Sequence, residues 1–423
     1  MRYLPRVVDE ELDELLRELP AVAIEGPKGV GKTETARRRA RTVYQLEDPA
    51  TLAIVNADPA QVLEAPTPIL LDEWQHVPAV WDAVRRAVDR DRTPNQYLLT
   101  GSAAPSPPPR HSGAGRIITV RMRPLTLWER GVVEGGISMR ELVRGGRPSV
   151  EGTTHVTLRD YVREIVASGL PGLRGLGGRA LRSQLDGYVR HVVDRDFEEQ
   201  GLKVRRPEAL LRWMTAYAAA TGTAASLETI RDAATSSEGE KPAKTTVQAY
   251  RDVLQRLWLI DSLPAWIPSR NQINRLSQPP KHHLADPALA VRLLGLDADA
   301  LLRGEEHSPP IARDGALLGS LFESLVTLCV RVYAQAAEAS VKHLRLQNNR
   351  REVDLIVERA DQRVVAIEVK LGATVRDDDV KHLLWLRDQL GGDYLDGIVI
   401  NTGPQAYRRK DGIAVIPAAL LGP

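Results

Sequence analysis

Residues 26–33, Gly-Pro-Lys-Gly-Val-Gly-Lys-Thr, constrain this chain more than any other stretch. An apolar run at residues 21–24 precedes them, and a helix-favouring run at residues 34–40 follows. This order predicts a strand, a glycine-rich loop and a helix. In such a loop successive backbone N–H groups converge on phosphate oxygens, and the positive end of the helix dipole adds to the attraction. The alternative is a glycine loop that only turns a strand into a helix.

Each residue of this loop has an expected part in binding a nucleotide. Lys32 is expected to reach the β- and γ-phosphates, and the Thr33 hydroxyl is expected to be a ligand of Mg²⁺. ATP and Mg²⁺ are therefore the predicted cofactors. The predicted cofactor-binding residues are Gly26, Pro27, Lys28, Gly29, Val30, Gly31, Lys32 and Thr33.

A second motif, Ile-Leu-Leu-Asp-Glu at residues 69–73, is an apolar run that ends in two carboxylates. We expect Asp72 to hold the Mg²⁺ shell through water, and Glu73 to act as general base on the attacking water. Alone, such a run is usually a strand that leaves the core. Downstream of a phosphate loop, it indicates the hydrolytic half of an ATPase.

The N-terminal module is predicted to alternate helices (7–19, 33–46, 80–88) with strands (51–55, 96–99, 117–121). This alternation favours a parallel sheet with helices on both faces. Thr100 and Ser102 follow a buried strand, at the edge where such sheets bind ligands. Either hydroxyl is a candidate to sense the γ-phosphate or orient the water; a capped turn is the alternative.

Arg116 lies in a glycine-containing loop just before the strand at 117–121. From there it could reach a neighbouring subunit's nucleotide as an arginine finger, which implies a homo-oligomer in a ring or partial ring. Arg110 is a competing candidate. An ordinary solvated arginine is the third possibility.

The composition sets limits on these hypotheses. A chain of 423 residues has room for roughly two to four domains. The net charge is only +2, so no global field indicates nucleic acid. The single cysteine, Cys329, excludes an internal disulfide and a multi-cysteine zinc site, and suits a reducing compartment. Residues 1–19 do not have the pattern of a secretory signal, and no apolar run is predicted to span a bilayer, so we expect a cytoplasmic protein.

The middle of the chain, residues 136–300, is predicted to be mainly helical, at 184–199, 207–220, 226–234 and 245–259, with a strand and turn at 258–266. Three short helices followed by a hairpin form the outline of a winged helix, whose third helix usually enters the DNA major groove. A winged helix that only contacts protein is the alternative. The hairpin is expected to carry Arg270, Arg275, Lys281 and the His282-His283 pair. We interpret the two histidines as surface or core residues rather than as metal ligands. The predicted nucleic-acid contacts are Lys244, Thr246, Gln248 and Arg251.

The C-terminal part, residues 301–423, is predicted to begin with an apolar helix at 317–334 that carries Glu323. Strands follow at 341–346, 352–357 and 364–371, and a helix and two strands at 380–390, 397–400 and 413–416 complete an α/β core. Asp354 and Glu368 lie on adjacent strands, and Lys370 shares a strand face with Glu368, so they could form a Mg²⁺ site with a cation beside it. Edge-strand charges are the alternative. Basic residues 408–410 could touch phosphates or form a solvated loop.

Several of these motifs together carry a family resemblance. Residues 26–33 and 71–75 (Leu-Asp-Glu-Trp-Gln), in Walker A and Walker B order, are followed by Leu-Thr-Gly-Ser at 99–102, Gly-Arg at 115–116 and Arg-Pro-Leu at 123–125. The chain thereby resembles the bacterial and archaeal AAA-type ATPases that carry a C-terminal domain of unknown function with a nuclease-like fold. The Ser-Gly-Leu-Pro-Gly loop at 168–172 is also similar to that family.

The resemblance implies a multidomain α/β fold: an AAA-type ATPase domain (1–135), a helical and winged-helix-like middle (136–300) and a restriction-endonuclease-like α/β domain (301–423). The C-terminal pattern is similar to that nuclease fold's aspartate, spacer and Glu-x-Lys. Carried over, Asp354 and Glu368 would be metal ligands, Lys370 would orient the water, and Glu323 could supply a helix carboxylate.

The function expected from the sequence is Mg²⁺-dependent ATP hydrolysis coupled to DNA binding and remodelling, including motor activity on branched or duplex DNA. One alternative is an ATP-gated, Mg²⁺-dependent endonuclease. Another is a nucleotide-dependent assembly switch with a non-catalytic C-terminal domain. Intact Glu73 favours hydrolysis over the switch, because a switch needs binding but little turnover.

Overall fold

The computed structural model describes residues 3–105, 109, 111–133, 136–235, 241–267, 279–306, 316–346 and 351–423. Three residues named above, Arg110, Arg270 and Arg275, lie outside the described residues.

The N-terminal part is a parallel five-stranded sheet, as its alternating pattern predicted. Its strands are β1 (Ala21–Glu25), β2 (Thr42–Gln45), β3 (Ile69–Asp72), β4 (Tyr97–Gly101) and β5 (Ile118–Arg121). The strand order is β2-β3-β4-β1-β5, so β4 separates the strand before the glycine loop from the strand that ends at Asp72. The three central strands are almost fully buried, as expected for a sheet covered on both faces.

The helices of this part are α1 (Val8–Glu18), α2 (Lys32–Arg37), α3 (Pro49–Ala57) and α4 (Ala79–Arg90). Two predictions were wrong here. The helix after the loop ends at Arg37 rather than near residue 46, and residues 51–55 are helical rather than a strand. Asp48 explains the second error, because its side chain accepts a hydrogen bond from the Thr51 amide as an N-cap, and Pro49 occupies the first turn.

The middle of the chain is largely helical, as predicted, but the helix expected at 184–199 begins earlier and is interrupted by a π-helical turn, Val192–Asp196. Residues 258–266 form only a two-residue strand. The helices are α5 (Met139–Arg144), α6 (Leu158–Val166), α7 (Gly178–His191), α8 (Phe197–Glu199), α9 (Pro207–Ala219), α10 (Leu227–Ala233), α11 (Lys244–Arg256), α12 (Pro287–Leu293) and α13 (Ala298–Glu306).

The C-terminal part is built on one long helix, α14 (Ala316–Ala336), a mixed sheet and a second helix, α15 (Asp377–Leu390). Leu317–Ala336 meets the length and composition criteria for a membrane span, which the sequence analysis did not expect; 67% of its most apolar window is buried inside the protein. The strands here are β9 (Ser340–Arg345), β10 (Glu352–Glu358), β11 (Val364–Val369), β12 (Tyr394–Asn401), β13 (Gln405–Arg408) and β14 (Ala414–Pro417).

Both edges of this sheet come from the middle of the chain. Strand β7 (Gly152–Thr153) pairs with β13, and β8 (Ala265–Trp266) pairs with β9, so the order is β7-β13-β14-β12-β11-β10-β9-β8. A further pair joins β6 (Ile137–Ser138) to β15 (Leu421–Gly422). One continuous apolar cluster also runs through both parts. The middle and C-terminal parts therefore share a core across residue 300.

Candidate functional site

The glycine loop connects β1 to α2 with a backbone that only glycine adopts easily. Gly29 and Gly31 have φ of +77° and +102°, in the left-handed region. At Gly26 an added Cβ would lie 2.2 Å from the Met122 carbonyl oxygen. The glycine pattern is thus required by the tight path of the chain at three of the eight positions.

Lys32 is buried within this loop and 4% exposed. Its Nζ donates to the carbonyl oxygens of Gly26 (2.9 Å) and Pro27 (3.1 Å). Burial lowers the pKa of Lys32 to about 8, although the charges of Glu73 and Asp72 act to raise it. The ammonium therefore lies beside two neutral acceptors, and an anion placed there would stabilise its charged form.

Thr33 and Asp72 meet at the carboxyl ends of the strands, as predicted. The Thr33 Oγ1 donates to Asp72 Oδ1 over 2.8 Å, and the Thr100 hydroxyl donates to the same carboxylate oxygen. Since β4 lies between β1 and β3, Thr100 comes directly beside Asp72. A hydroxyl and a carboxylate at this spacing are oxygen ligands suited to Mg²⁺.

Glu73 follows β3 in a left-handed conformation, with φ of 54°. Its Oε2 accepts hydrogen bonds from the Ser102 amide (3.1 Å), the Ser102 hydroxyl (2.6 Å) and the Gln75 side chain. Its own amide donates to Thr100 Oγ1 over 3.3 Å. The structure thus brings Thr100 and Ser102 to the two carboxylates, and it adds Gln75, which the sequence contained in the 71–75 motif but which we had given no role.

A cleft of about 440 Å³ separates the glycine loop from α7. Tyr188 on α7 donates its hydroxyl to the Lys28 carbonyl over 3.2 Å. The Lys28 ammonium lies 2.8 Å from Asp196 in the π-helical turn. Leu170, in the predicted loop at 168–172, and Leu173, the residue after that loop, line the same cleft. Sequence reasoning identified that loop but missed Tyr188 and Asp196, which have no distinguishing local pattern.

Arg6 supports the glycine loop from behind. Its Nη1 donates to the Val30 carbonyl (2.7 Å), its Nη2 donates to the Arg123 carbonyl (2.6 Å), and its Nε lies 2.9 Å from Glu129. The Arg6 and Glu129 side chains are 3% and 1% exposed. Sequence reasoning missed this buried pair, because its partners are over 120 residues apart.

Arg116, the arginine-finger candidate, is paired within its own chain. Its Nε lies 2.7 Å from Asp89 at the end of α4, and its side chain is 38% exposed. The contact places the guanidinium at the surface. Its action on a neighbouring subunit stays a prediction.

The second predicted site, in the C-terminal part, contains a residue that we had placed elsewhere. Lys281 was expected on an exposed wing, but its side chain is 2% exposed, because it points onto β10 and α14. Its Nζ lies 2.9 Å from Glu323, 2.9 Å from Asp354 and 3.1 Å from Glu352. The other Asp354 oxygen accepts a hydrogen bond from the Val369 amide over 2.9 Å.

Glu368 lies beside this group on β11. One oxygen lies 2.9 Å from Lys370 Nζ, and the other, Oε2, is buried without a hydrogen-bond partner among the described residues. Burial, and then the charge of Asp354, raises the pKa of both Glu323 and Glu368 to about 8. Burial also acts to raise the pKa of Asp354, but the Lys281 charge outweighs it and the pKa is lowered.

The prediction of a metal site at Asp354, Glu368 and Glu323 is therefore not supported by the geometry. Within the described parts of the chain, no group of three or more His, Cys, Asp or Glu side chains is arranged to hold a metal ion. The physical reason is that an ammonium lies between Glu323 and Asp354. Lys370 contacts Glu368 as the pattern predicted, and its role in orienting water stays a prediction.

The predicted nucleic-acid residues lie on α11, with acidic neighbours. Lys244 is exposed and lies 3.1 Å from Glu228 on α10, and Gln248 donates to Asp252 over 2.7 Å. Thr246 and Arg251 are half-buried. After α11, antiparallel bridges join Ile260 to Leu284 and Leu263 to Lys281.

The sequence predicted that His282 and His283 are surface or core residues rather than metal ligands, and that residues 408–410 touch phosphates or form a solvated loop. His282 and His283 are buried, where they contact Tyr217 and Ser324 respectively. Arg408 lies 2.9 Å from buried Asp396, and Arg409 pairs with Asp377 and Asp411. Of residues 408–410, the two arginines are therefore structural ion pairs rather than a free phosphate contact.

Three family descriptions match consecutive parts of the chain. Residues 18–130 match an AAA domain, residues 158–300 match a domain of unknown function, DUF8612, and residues 318–421 match a second domain of unknown function, DUF4143. The first match covers the glycine loop, both carboxylates and the two hydroxyls of the site.

Two curated relatives are similar along most of the chain. The uncharacterized proteins Mb2031c of Mycobacterium bovis and Rv2008c of Mycobacterium tuberculosis are each 26% identical over 370 residues, which cover 85% of this chain and 72% of theirs.

Solved structures give weaker likenesses. A Walker-type ATPase of Pyrococcus abyssi, paby2304, has 15% identity and a TM-score of 0.38, over 67% of this chain and 94% of that one. The ORC2 protein of Aeropyrum pernix has 15% identity and a TM-score of 0.30, over 72% and 97%. Likenesses at this level establish nothing further about the chain. The AAA-domain match, which spans Lys32, Thr33, Asp72 and Glu73, shows that this multidomain α/β chain is a P-loop ATPase.

Proposed function

We propose that the chain hydrolyses ATP with Mg²⁺ and couples the cycle to DNA binding and remodelling. The observation that carries the ATP part is the glycine loop, in which the buried Lys32 ammonium donates to two carbonyl oxygens while Thr33, the next residue, donates to Asp72. A bound Mg²⁺ would supply neutralisation of the β- and γ-phosphate charge. Thr33 and Asp72 have the oxygen chemistry to hold it.

Side chains of the protein bind the phosphates, orient the metal ligand and activate the attacking water. Lys32 binds the phosphates, and the Thr100 hydroxyl orients Asp72. Glu73 takes a proton from the attacking water at its carboxylate, which Ser102 and Gln75 orient. The nucleobase occupies the cleft between the loop and α7, where Leu170 and Leu173 offer apolar surface.

The test is steady-state ATP turnover by Glu73→Gln. We expect turnover to fall by roughly 10²–10⁴-fold while nucleotide binding persists, since the amide keeps the shape but not the base. Glu47→Gln is the matched control, because Glu47 is an exposed carboxylate near His76 outside the site. A Glu73→Gln enzyme that turns over at the wild-type rate would refute the general base.

The DNA part of the proposal is supported by the arrangement of α9, α10 and α11, followed by two antiparallel bridges. Helices in this order, with a hairpin after them, match a winged helix in outline, and its third helix would be α11. Lys244 would exchange Glu228 for a DNA phosphate, and Thr246, Gln248 and Arg251 would face the groove. The acidic neighbours make this exchange salt-sensitive.

Turnover should be measured with duplex, single-stranded and four-way-junction DNA, while the DNA is followed for strand exchange and cleavage. We expect one structure to stimulate turnover, and Gln248→Ala with Arg251→Ala to abolish the stimulation. Arg303→Ala, an exposed arginine of α13, is the control. Absence of stimulation and of any DNA shift would instead favour the nucleotide-dependent assembly switch.

We further propose that the active form is a homo-oligomer in which Arg116 completes a neighbour's site. The partly exposed guanidinium, which contacts Asp89 and the Ala114 carbonyl at the surface, supports this. Mixing Arg116→Ala protein with Lys32→Ala protein should restore turnover that neither has alone. If no mixing ratio restored ATP turnover, Arg116 would not be the arginine finger.

Two smaller parts of the proposal concern the C-terminal fold and the location. Strands β10 and β11 are antiparallel, with Leu355 opposite Ile367, which sets Asp354 beside Glu368 and supports a restriction-endonuclease-like fold. A cytoplasmic location is supported by the single buried thiol, Cys329.

A further inference from the structure

The group formed by Lys281, Glu323, Glu352 and Asp354, called here the carboxylate centre, draws on three separate elements. Glu323 comes from α14, the two other carboxylates come from β10, and Lys281 comes from the segment between α11 and α12. An ammonium has three N–H donors, and three carboxylates lie at 2.9, 2.9 and 3.1 Å from this one. Each donor therefore has one carboxylate partner.

The backbone around Lys281 is fixed on both sides. The Lys281 amide donates to the Leu263 carbonyl, and its carbonyl accepts from the Leu263 amide, both at 2.9 Å. The next residue, His282, donates its amide to the Thr223 carbonyl over 2.8 Å. Withdrawal of the ammonium would break these bonds or force a long buried side chain into another rotamer.

The spacing of the oxygens does not suit Mg²⁺. That ion requires ligands at about 2.0–2.1 Å in near-octahedral order. The three carboxylate oxygens lie 2.9–3.1 Å from Lys281 Nζ, about one ångström farther than Mg²⁺ ligands would lie from an ion in that position. Two nearby carboxylate oxygens already have hydrogen-bond donors. The second Asp354 oxygen accepts from the Val369 amide, and one oxygen of the neighbouring Glu368 accepts from Lys370.

We propose that Lys281 is the resident cation of the carboxylate centre, so that the C-terminal part binds no divalent cation there and does not cleave DNA. The centre is then an ionic junction between residues 279–286 and the sheet of β9 to β14. It places a positive charge beside Glu323 and Asp354, which the fold largely removes from solvent.

The test compares thermal unfolding of nucleotide-free wild type and Lys281→Met with EDTA and with millimolar Mn²⁺. We expect Mn²⁺ to leave the wild-type melting temperature unchanged. Lys281→Met should melt roughly 5 °C lower or more in EDTA, and Mn²⁺ should restore part of the loss by replacing the missing charge. The double variant Lys281→Met with Glu323→Gln should lose that restoration.

Lys342→Met is the matched control. Lys342 also lies in this sheet and pairs with a buried carboxylate, Glu358, which keeps its hydrogen bond from Trp266. A single carboxylate offers too few ligands, so Mn²⁺ should not stabilise this variant. A Lys281→Met protein that melts like wild type in EDTA would overturn the proposal.

A second measurement tests whether the carboxylate centre binds a divalent cation, even if Lys281→Met does not fold. Mn²⁺ binding to nucleotide-free wild type, followed by electron paramagnetic resonance, should show no site that disappears in Asp354→Asn. Any site that disappears in Asp72→Asn belongs to the nucleotide loop. Mn²⁺ bound by wild type and lost only in Asp354→Asn, or Mg²⁺-dependent DNA cleavage lost in that variant, would overturn the proposal.

Discussion

Lys32 and Lys281 are both buried, with 4% and 1% of the whole residue exposed, but their surroundings are opposite. Lys32 donates to two neutral carbonyls, and burial lowers its pKa to about 8. Lys281 is also desolvated by burial, but Asp354, Glu323 and Glu352 outweigh that and raise its pKa. Among the described residues, Lys32 Nζ donates to no carboxylate, whereas Lys281 Nζ contacts three acidic side chains.

The difference distinguishes a lysine that can bind an anionic ligand from a lysine whose charge is already paired with acidic side chains. A buried charge without a counter-ion costs free energy, which an arriving phosphate recovers. A buried charge inside a matched set stabilises the fold only while the set is intact, and removing one member is costly. The same residue type is thus a ligand-binding group in one part of the molecule and a structural group in the other.

The strongest test of this contrast is a pair of methionine substitutions. Lys32→Met should lower steady-state ATP turnover by at least about 10²–10³-fold, since the charge that faces the phosphates is gone. It should leave the free energy of unfolding unchanged or slightly higher. Lys281→Met should instead lower the free energy of unfolding by about 3–5 kcal/mol, because three carboxylates lose their cation. Urea unfolding and phosphate release measure both quantities.

Two results would contradict this contrast between Lys32 and Lys281. If Lys32→Met destabilised the fold as much as Lys281→Met, both lysines would be structural. If Lys32→Met retained wild-type turnover, the assignment of the phosphate loop would be wrong.

A smaller effect is expected from Thr100→Val, which removes the hydroxyl that orients Asp72. Losing a hydrogen bond to a charged group costs about 1.5–3 kcal/mol, so kcat should fall by roughly 10–150-fold with little change in KM. Thr327→Val is the control, because Thr327 is a buried threonine of α14 whose Oγ1 has no hydrogen-bond partner in the part of the chain that the structure describes. Equal kcat values for the two variants would remove Thr100 from the site.

The nucleotide loop was predictable from the sequence because its chemistry is local. The eight residues 26–33 determine the loop geometry by themselves. Asp72 and Glu73 lie at the end of a strand, and the alternation of strands and helices predicts that this strand belongs to the same parallel sheet. The errors in this part are also local. The run at 51–55 is rich in strand-forming residues, but the Asp48 cap and Pro49 favour a helix.

The carboxylate centre was only half predictable. The order of Asp354, Glu368 and Lys370 identified the strands, but Lys281 enters from a segment 73 residues before Asp354. No local pattern reports a contact at that separation, and a lysine beside two histidines was naturally interpreted as exposed. The same limit explains why Arg6 and Asp196 were missed, since each contacts the glycine loop only through tertiary structure.

The lowered pKa of Lys32 predicts a pH dependence of nucleotide binding. Below about pH 8 the free protein keeps Lys32 charged, and binding is strongest; above it the amine becomes neutral and the phosphates lose a counter-ion. We expect the dissociation constant for ADP to rise by up to about 10-fold between pH 8 and pH 9. Calorimetric titration at several pH values measures this.

Lys32→Arg is the control for that titration. A guanidinium stays charged across the range, so its affinity for ADP, whatever its value, should not change with pH in this way. A wild-type affinity that is constant from pH 7 to pH 9 would mean that Lys32 has an ordinary pKa and that burial does not set it apart from Lys281.

Lys28 should give the smallest effect, because it is intermediate between the two. Its side chain is 33% exposed, and its main partner is one buried carboxylate, Asp196, at 2.8 Å. For a partly exposed pair we expect Lys28→Met to lower the free energy of unfolding by about 1 kcal/mol or less. Because the pair links the glycine loop to the turn after α7, the KM for ATP should rise a few-fold.

A double-mutant cycle with Asp196→Asn separates the pair from the two residues alone. If the ion pair carries the effect, the two changes should not add, and the coupling should appear in KM as well as in stability. Fully additive effects would mean that the loop and the helices after α7 act independently. A loss of stability as large as that of Lys281→Met would instead show that even one buried carboxylate makes a lysine structural, and that the number of counter-ions does not decide its role.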